Sequence, residues 1–179
     1  MSKSTLLQQP RPVSRIVGGP VFLTDLTQLV VFRLDEERYA LALAVVERIV
    51  RAAEVTPLPK APAIVLGVID LEGRVLPVLN VRRRFRLPER EISPADQFLI
   101  ARCEWRTVVL VVDEVQEVIE RSPTEIVGAA QIVPGLEQIQ GVIKLDDRLV
   151  LIHDLGSFLS LDEARSLDEA ISQEVAHET

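Results

Sequence analysis

Long apolar runs are missing from this chain. The longest unbroken one, Tyr39 to Val46, has eight residues, against the roughly 18 that a bilayer-spanning helix needs. Met1 to Pro20 offers Ser, Gln, Pro and Gly where a secretory leader would carry an apolar block, so the sequence reads as cytoplasmic. A single cysteine, Cys103, leaves no internal disulfide to form and fits a reducing compartment. Only seven aromatic residues occur in 179, and the formal net charge is −7. Both argue against nucleic acid, whose binding wants a positive footprint and stacking rings.

What remains is aliphatic. Val, Leu and Ile number 25, 24 and 13, which marks a globular core rather than a disordered chain. The length allows about one domain. The negative charge is uneven: residues 160–179 carry −5, residues 1–27 carry +2, and the body between carries −4. Residues 1–27, with three of the eleven prolines and Gly18-Gly19-Pro20, show no sustained period and read as a flexible tail.

From Gln28 onward the pattern is of short strands: Leu29–Leu34, Tyr39–Leu43 and Ile49–Arg51, with Asp35 to Glu37 as the first turn. Pro57, Pro59 and Pro62 interrupt the chain, and residues 64–79 then read as a hairpin turning at Glu72-Gly73. The second half repeats this plan. Gln28 to Leu34 lies over Gln97 to Cys103 at an offset of 69, and Gly67-Val-Ile over Gly141-Val-Ile at an offset of 74. Five short strands per half cannot bury both faces of an open sheet, so the expected architecture is all-β, two small barrels packed together. The period then changes: Ala164, Leu167, Ala170, Ile171 and Val175 keep helical spacing after the capping box Ser160-Leu-Asp-Glu163, predicting a C-terminal amphipathic helix and tail over 161–179.

Chemistry-bearing motifs are sparse. There is no phosphate-binding glycine loop, no Cys or His pair at metal spacing and no nucleophile elbow. His153, Asp154 and Ser157 are close in sequence, but neighbours on a strand point to opposite faces, so Asp154 is expected to cap a helix beside a half-exposed His153. Cys103 is expected to be simply buried. Arg82, Arg83, Arg84 and Arg86 surround Phe85 and read as a mostly solvated turn, or else as a contact for an acidic protein partner. Apolar residues left on the rims of two small barrels would mark an interaction surface, so a binding module is favoured over an enzyme.

Phe32-Arg-Leu, Arg38-Tyr-Ala-Leu41, Val46 with Ile49, Thr56-Pro-Leu-Pro59 and the run from Pro62 to Arg82 together resemble the CheW chemotaxis adaptor family. Val111 to Val118, Gly141-Val-Ile143 and Leu149 to Leu155 follow in the family's order, so the resemblance spans residues 28–160. It implies two SH3-like five-stranded β-barrel subdomains with pseudo-two-fold repetition, about 28–87 and 97–160, short helices and a C-terminal helix. It also implies no catalysis and no cofactor. The family's role is to bridge cytoplasmic chemoreceptor tips to the regulatory domain of a CheA-type histidine kinase in membrane-associated arrays. By position, the receptor-facing groove would comprise Val46, Arg48, Ile49, Gly67, Leu71 and Glu72, and the kinase face Leu41 and Val75. The family's Asn-Leu-Arg-Gly turn is here Asp70-Leu71-Glu72-Gly73, and Asn80 stands where an Asp is usual. Arg48 likewise replaces the usual Glu, so both signs are inverted and a salt bridge between Arg48 and Glu72 is expected. The alternatives are an adaptor for a parallel chemosensory-type pathway controlling pili, biofilm or gene expression, and a small-ligand-binding β-barrel.

Overall fold

The computed structural model describes residues 26–128, 131 and 138–177, so the tail read over 1–27 lies, except for its last two residues, outside the described residues. Strands β1 (Thr27–Leu34) and β2 (Glu37–Ala42) form a hairpin. β3 (Val46–Arg51) follows after one 3₁₀ turn. The hairpin expected over 64–79 is β4 (Val65–Leu71) and β5 (Arg74–Leu79), leading into the one-turn helix α1 (Val81–Arg84). Then come β6 (Gln97–Arg102), β7 (Thr107–Val112), β8 (Glu114–Arg121), the short β9 (Val127–Gly128), β10 (Ile139–Leu145) and β11 (Arg148–His153). Helix α2 (Leu161–His177) closes the described chain. Two hairpins turn on paired positive-φ residues, Glu72-Gly73 and Asp146-Asp147, the backbone that matches the twist of antiparallel strands.

The strands form a six-stranded sheet ordered β8-β1-β2-β11-β10-β9 and a five-stranded sheet ordered β3-β6-β7-β5-β4. The stretches 28–87 and 97–160 therefore do not each build a sheet of their own, as the barrel halves had been expected to. Each lends its first hairpin to the other: β1-β2 sit among the strands of the second half, and β6-β7 among those of the first. The exchanged hairpins dock in parallel at equivalent places, β2 on β11 through Ala40↔Ile152 and β7 on β5 through Val109↔Val78. The repeat extends to irregularities. Bulges leave Glu47 in β3 and Gln116 in β8 as extra residues, and others precede Gly67 and Gly141. The opposite edges are then tied by the chain that leaves β3 and β8, Thr56 pairing with Val68 and Val127 with Val142.

Burial explains the exchange. Leu29 and Val31 on one face of β1 pack with Ile143, Val150 and Ile152 inside the six-stranded sheet. Val30, Phe32 and Leu34 on the other face join a shared core with Leu99, Leu110 and Phe158. β6 does the same in mirror fashion, Phe98 and Ile100 facing Val78 and Val109, while Leu99 and Ala101 face the shared core. Strands apolar on both faces must be central ones, and at about 1.5–3 kcal/mol per buried aliphatic side chain, covering both faces is the dominant gain. α2 is integral to this arrangement, because Leu167 and Ala170 are buried in the shared core. Its capping box is formed, with Glu163 N donating to Ser160 Oγ at 3.2 Å and Ser160 N to Glu163 Oε2 at 2.8 Å. Cys103 is buried, as expected.

The arginine turn is not mostly solvated. Arg82 is buried and donates to Asp35 Oδ1 and to Asp113 Oδ1, each at 2.8 Å, while Asp35 N donates to Asp113 Oδ2 at 2.8 Å. Arg90 joins Asp113 to the buried Asp96, at 2.7 Å to each. Burial alone would raise the Asp113 pKa, but Arg82 and the Asp35 amide hold it below the ordinary carboxylate range. Arg84 pairs with Glu163 of α2 and Arg83 with Glu89. His153, expected to be half exposed, is buried instead because it ends β11 on the core side. There it stacks on Phe85 at 4.0 Å and meets Tyr39 and Phe158.

Two stability outcomes follow from these buried groups. Arg82→Ala removes the one buried guanidinium that Asp35 and Asp113 share, leaving Asp113 to the more exposed Arg90, and is expected to cost about 3 kcal/mol in urea unfolding, whereas Arg83→Ala, half exposed, stays within about 1 kcal/mol. Burial depresses the His153 pKa to about 4, so between the unfolded value near 6.5 and that pH the unfolded chain binds the extra proton. Stability from this group is complete above pH 6.5 and falls by about 3 kcal/mol on acidification to pH 4. Comparing unfolding of the wild type and His153→Phe across pH 4–8 should show that slope vanish in the variant.

Candidate partner-docking surface

One rim of the five-stranded sheet gathers most of the expected site. On β3 the bulge at Glu47 breaks simple alternation, and bulges of this kind re-aim side chains. Glu47 and Arg48 consequently both reach the β4–β5 hairpin. Arg48 Nη1 donates to Glu72 Oε1 at 3.0 Å, and Arg74 Nη1 to Glu47 Oε2 at 3.2 Å. Thr107, at the start of β7, bridges the second pair: it accepts from Arg74 at 3.0 Å and donates to Glu47 at 3.2 Å. The Arg48 guanidinium holds the Glu72 carboxyl below its ordinary range, and Arg74 does the same for Glu47.

Apolar side chains stand beside these charges. Ile49 is 41% exposed and Val75 49%, with Val46 and Leu71 half buried. Gly67 is buried: a Cβ there would lie 2.1 Å from Thr56 O, and its φ is +154°. Gly67 therefore shapes the surface by letting Thr56 close on Val68 and offers no contact itself. Leu41 is completely buried in the shared core, so it cannot serve as a kinase contact; of that pair only Val75 reaches the surface. Sequence reasoning had also passed over Glu47, Arg74 and Thr107. For Glu47 and Arg74 the signal was the opposite charge one or two positions away, Glu47-Arg48 and Glu72-Gly-Arg74; Thr107 left none.

The six-stranded sheet serves as an internal control. It makes the same bulge and the same hairpin, but the corresponding positions are Gln116, Glu117, Asp146 and Arg148, and Asp146 pairs with Arg38 instead. The crossing pairs are thus no requirement of the backbone. Nor does the structure assemble a nucleophilic triad around His153. Asp154 Oδ1 accepts from Gly156 N and Ser157 Oγ donates to Asp154 O, while neither His153 ring nitrogen finds a hydrogen bond of ordinary geometry among the described residues. Asn80 caps α1, and its amide donates to Glu89 Oε1 at 2.7 Å, which the Asp usual at that position could not do while ionised.

The model of the family described as CheW-like domain matches residues 28–163. A chemotaxis protein CheW of Treponema pallidum is 30% identical over 146 residues, covering 78% of this chain and 86% of that protein. Its counterpart from Bacillus subtilis is 29% identical over 144 residues, covering 78% and 90%. Among solved structures, that of the scaffolding protein TtCheW from Thermoanaerobacter tengcongensis superimposes with a TM-score of 0.70 at 27% identity, covering 77% of this chain and 95% of that one.

The closure at Gly67 can be checked directly. Gly67→Ala should cost at least about 3 kcal/mol in chemical denaturation, because backbone of Thr56 must move. Gly73→Ala, which meets nothing within 4 Å and only strains a φ of +83°, should cost about 1 kcal/mol.

Proposed function

The chain belongs to the CheW-like domain family, and on that premise we propose that it couples chemoreceptors to a CheA-type histidine kinase, using the rim formed by Val46, Arg48, Ile49, Leu71 and Glu72 as its receptor-facing surface. Members of this family are non-catalytic scaffolds, and this chain is not an enzyme. The observation that carries the reading is the family match across both sheets. The crossing ion pairs on one sheet alone support the assignment of the rim. A helical receptor tip would lay apolar residues over Ile49, Val46 and Leu71 while the rim charges fix its register. Val75 is the surface residue offered to the kinase's regulatory domain. Coupling would pass as a rigid-body displacement between two occupied faces, since no reaction intervenes.

No helix among the described residues is long and apolar enough to cross a membrane; our reading places the adaptor in the cytoplasm, recruited to receptor arrays, with residues 28–160 as the adaptor domain. One observation favours a more particular version, an adaptor for a parallel chemosensory-type pathway. The Arg48–Glu72 pair has the polarity opposite to the family's usual pattern, so a receptor matched to that pattern meets like charges and is rejected.

The test is a charge-swap cycle. Arg48→Glu and Glu72→Arg, each alone, should weaken binding of the native receptor tip about tenfold or more in calorimetry, with the unfolding midpoint nearly unchanged because both side chains are solvated. The double exchange should restore the pair and shift preference toward tips of usual-polarity systems. Purely additive single effects would sink the idea.

A further inference from the structure

The chain's only tryptophan is 44% exposed at the tip of the β6–β7 turn. That turn is held from within and from α2. Cys103 N and Cys103 Sγ both donate to Arg106 O at 2.9 Å, closing the loop over Glu104 and Trp105. The Arg106 guanidinium is paired with Asp168 of α2. Nothing in this scaffolding buries Trp105, although a core was available a few residues away: Cys103 itself is buried. The related turn in the other sheet, Asp35-Glu36, is instead engaged by Arg82 and carries no aromatic residue.

Trp105 lines a pocket of about 360 Å³ with Arg102, Arg106, Glu47, Arg74 and Thr107. The last three are the second crossing pair, Glu47 with Arg74, and the Thr107 that bridges it, so this pocket and the ion-paired rim are one continuous surface. Arg102, at the end of β6, and Glu104, on the turn, place a base and an acid on either side of Cys103, neither in a salt bridge among the described residues. A rigidly presented, half-exposed Trp flanked by arginines, with the Arg102 charge acting on Glu47 across the pocket, is the composition of a binding hot spot, and a turn already ordered in the free protein adds little entropic cost on association.

We propose that the β6–β7 turn is a docking element in its own right, with Trp105 as its anchor. Its occupant is the helical receptor tip that lies on the rim, which would set an apolar side chain on the Trp105 ring between a carboxylate facing Arg102 and a basic residue facing Glu104. This rests on the docking reading above and extends it along the same rim, from Ile49 past Arg74 to Trp105.

Because Trp105 is the sole tryptophan, its emission reports on this turn alone. The full chain is titrated with a soluble, tryptophan-free cytoplasmic tip of a chemoreceptor from the same organism. A blue shift on saturation is expected, with Trp105→Ala and, separately, Arg102→Glu each weakening binding about tenfold by calorimetry while far-ultraviolet circular dichroism is unchanged. Titration with a tryptophan-free kinase regulatory domain should leave the emission where it is. If the tip binds and Ile49→Glu abolishes that binding, yet the emission stays fixed and both turn variants bind normally, the anchor is refuted and the rim reading stands. A shift produced by the kinase domain instead of the tip overturns the assigned occupant. Failure of the tip to bind the wild-type chain at all removes both readings.

Discussion

One guanidinium holds the two sheets in register. Arg82 leaves the five-stranded sheet on α1, Asp35 lies in the β1–β2 turn of the six-stranded sheet, and Asp113 sits where the chain passes from β7 in one sheet to β8 in the other. All three meet within hydrogen-bond distance, and Arg90 and Asp96 extend the cluster into the loop before β6. A buried ion network is a poor source of net stability, because desolvation offsets its Coulomb gain. Its value here is geometric. Apolar faces slide over one another at modest cost, whereas a fork of N–H groups on two carboxylates accepts only one placement. The charged surfaces that depend on the two sheets' relative position, including the pairing of Arg106 with α2, inherit that placement.

The repeat was legible in the sequence, strand for strand, because turn chemistry and alternation are local: Val65–Leu71 and Ile139–Leu145 fall at the same offset of 74 read from the glycines. The exchange of hairpins was not legible. Periodicity says that β1 is apolar on both faces, but not which half of the chain supplies the cover. The arginine turn failed for a related reason. Four cations in five positions look alike in sequence, and only the phase of a four-residue helix, together with acids 47 and 31 residues away, selects Arg82 for burial. Leu41 and Val75 were likewise equivalent as strand residues; one faces the shared core and the other solvent. His153 turned on a stack with Phe85, 68 positions distant, that no local pattern encodes.

At the candidate site the opposite holds, and much was readable. A pair of sign reversals at Arg48 and Glu72 shows in one sequence set against a family pattern, and the side chains meet at 3.0 Å. The second pair, Glu47 with Arg74, depends on a bulge, and a bulge is a one-residue insertion in pairing that leaves no mark in composition. The sheet without these pairs keeps Val118 and Leu149 at 52% and 67% exposure on its equivalent positions. Apolar exposure is therefore a property of both rims, while the charge pattern distinguishes them.

That distinction bears on how an adaptor with no chemistry discriminates among partners. An apolar rim alone attracts any amphipathic helix. Adding unpaired charges of one sign would sharpen the choice, but it would leave the free protein attractive to every oppositely charged surface in the cell. Crossing pairs avoid both outcomes: Arg48–Glu72 and Glu47–Arg74 neutralise each other in the free state, so long-range attraction is weak. If the rim docks a partner as proposed, that partner gains from it only by presenting charges in an order that replaces or continues those pairs at contact distance. A partner of reversed order must desolvate the same four groups and meets repulsion instead. On the proposed docking reading, specificity on this surface resides in the sequence of signs around the rim, which substitutions can rewrite without disturbing the bulge, the hairpin or the core beneath, as the six-stranded sheet demonstrates by carrying the same backbone under a different set of charges.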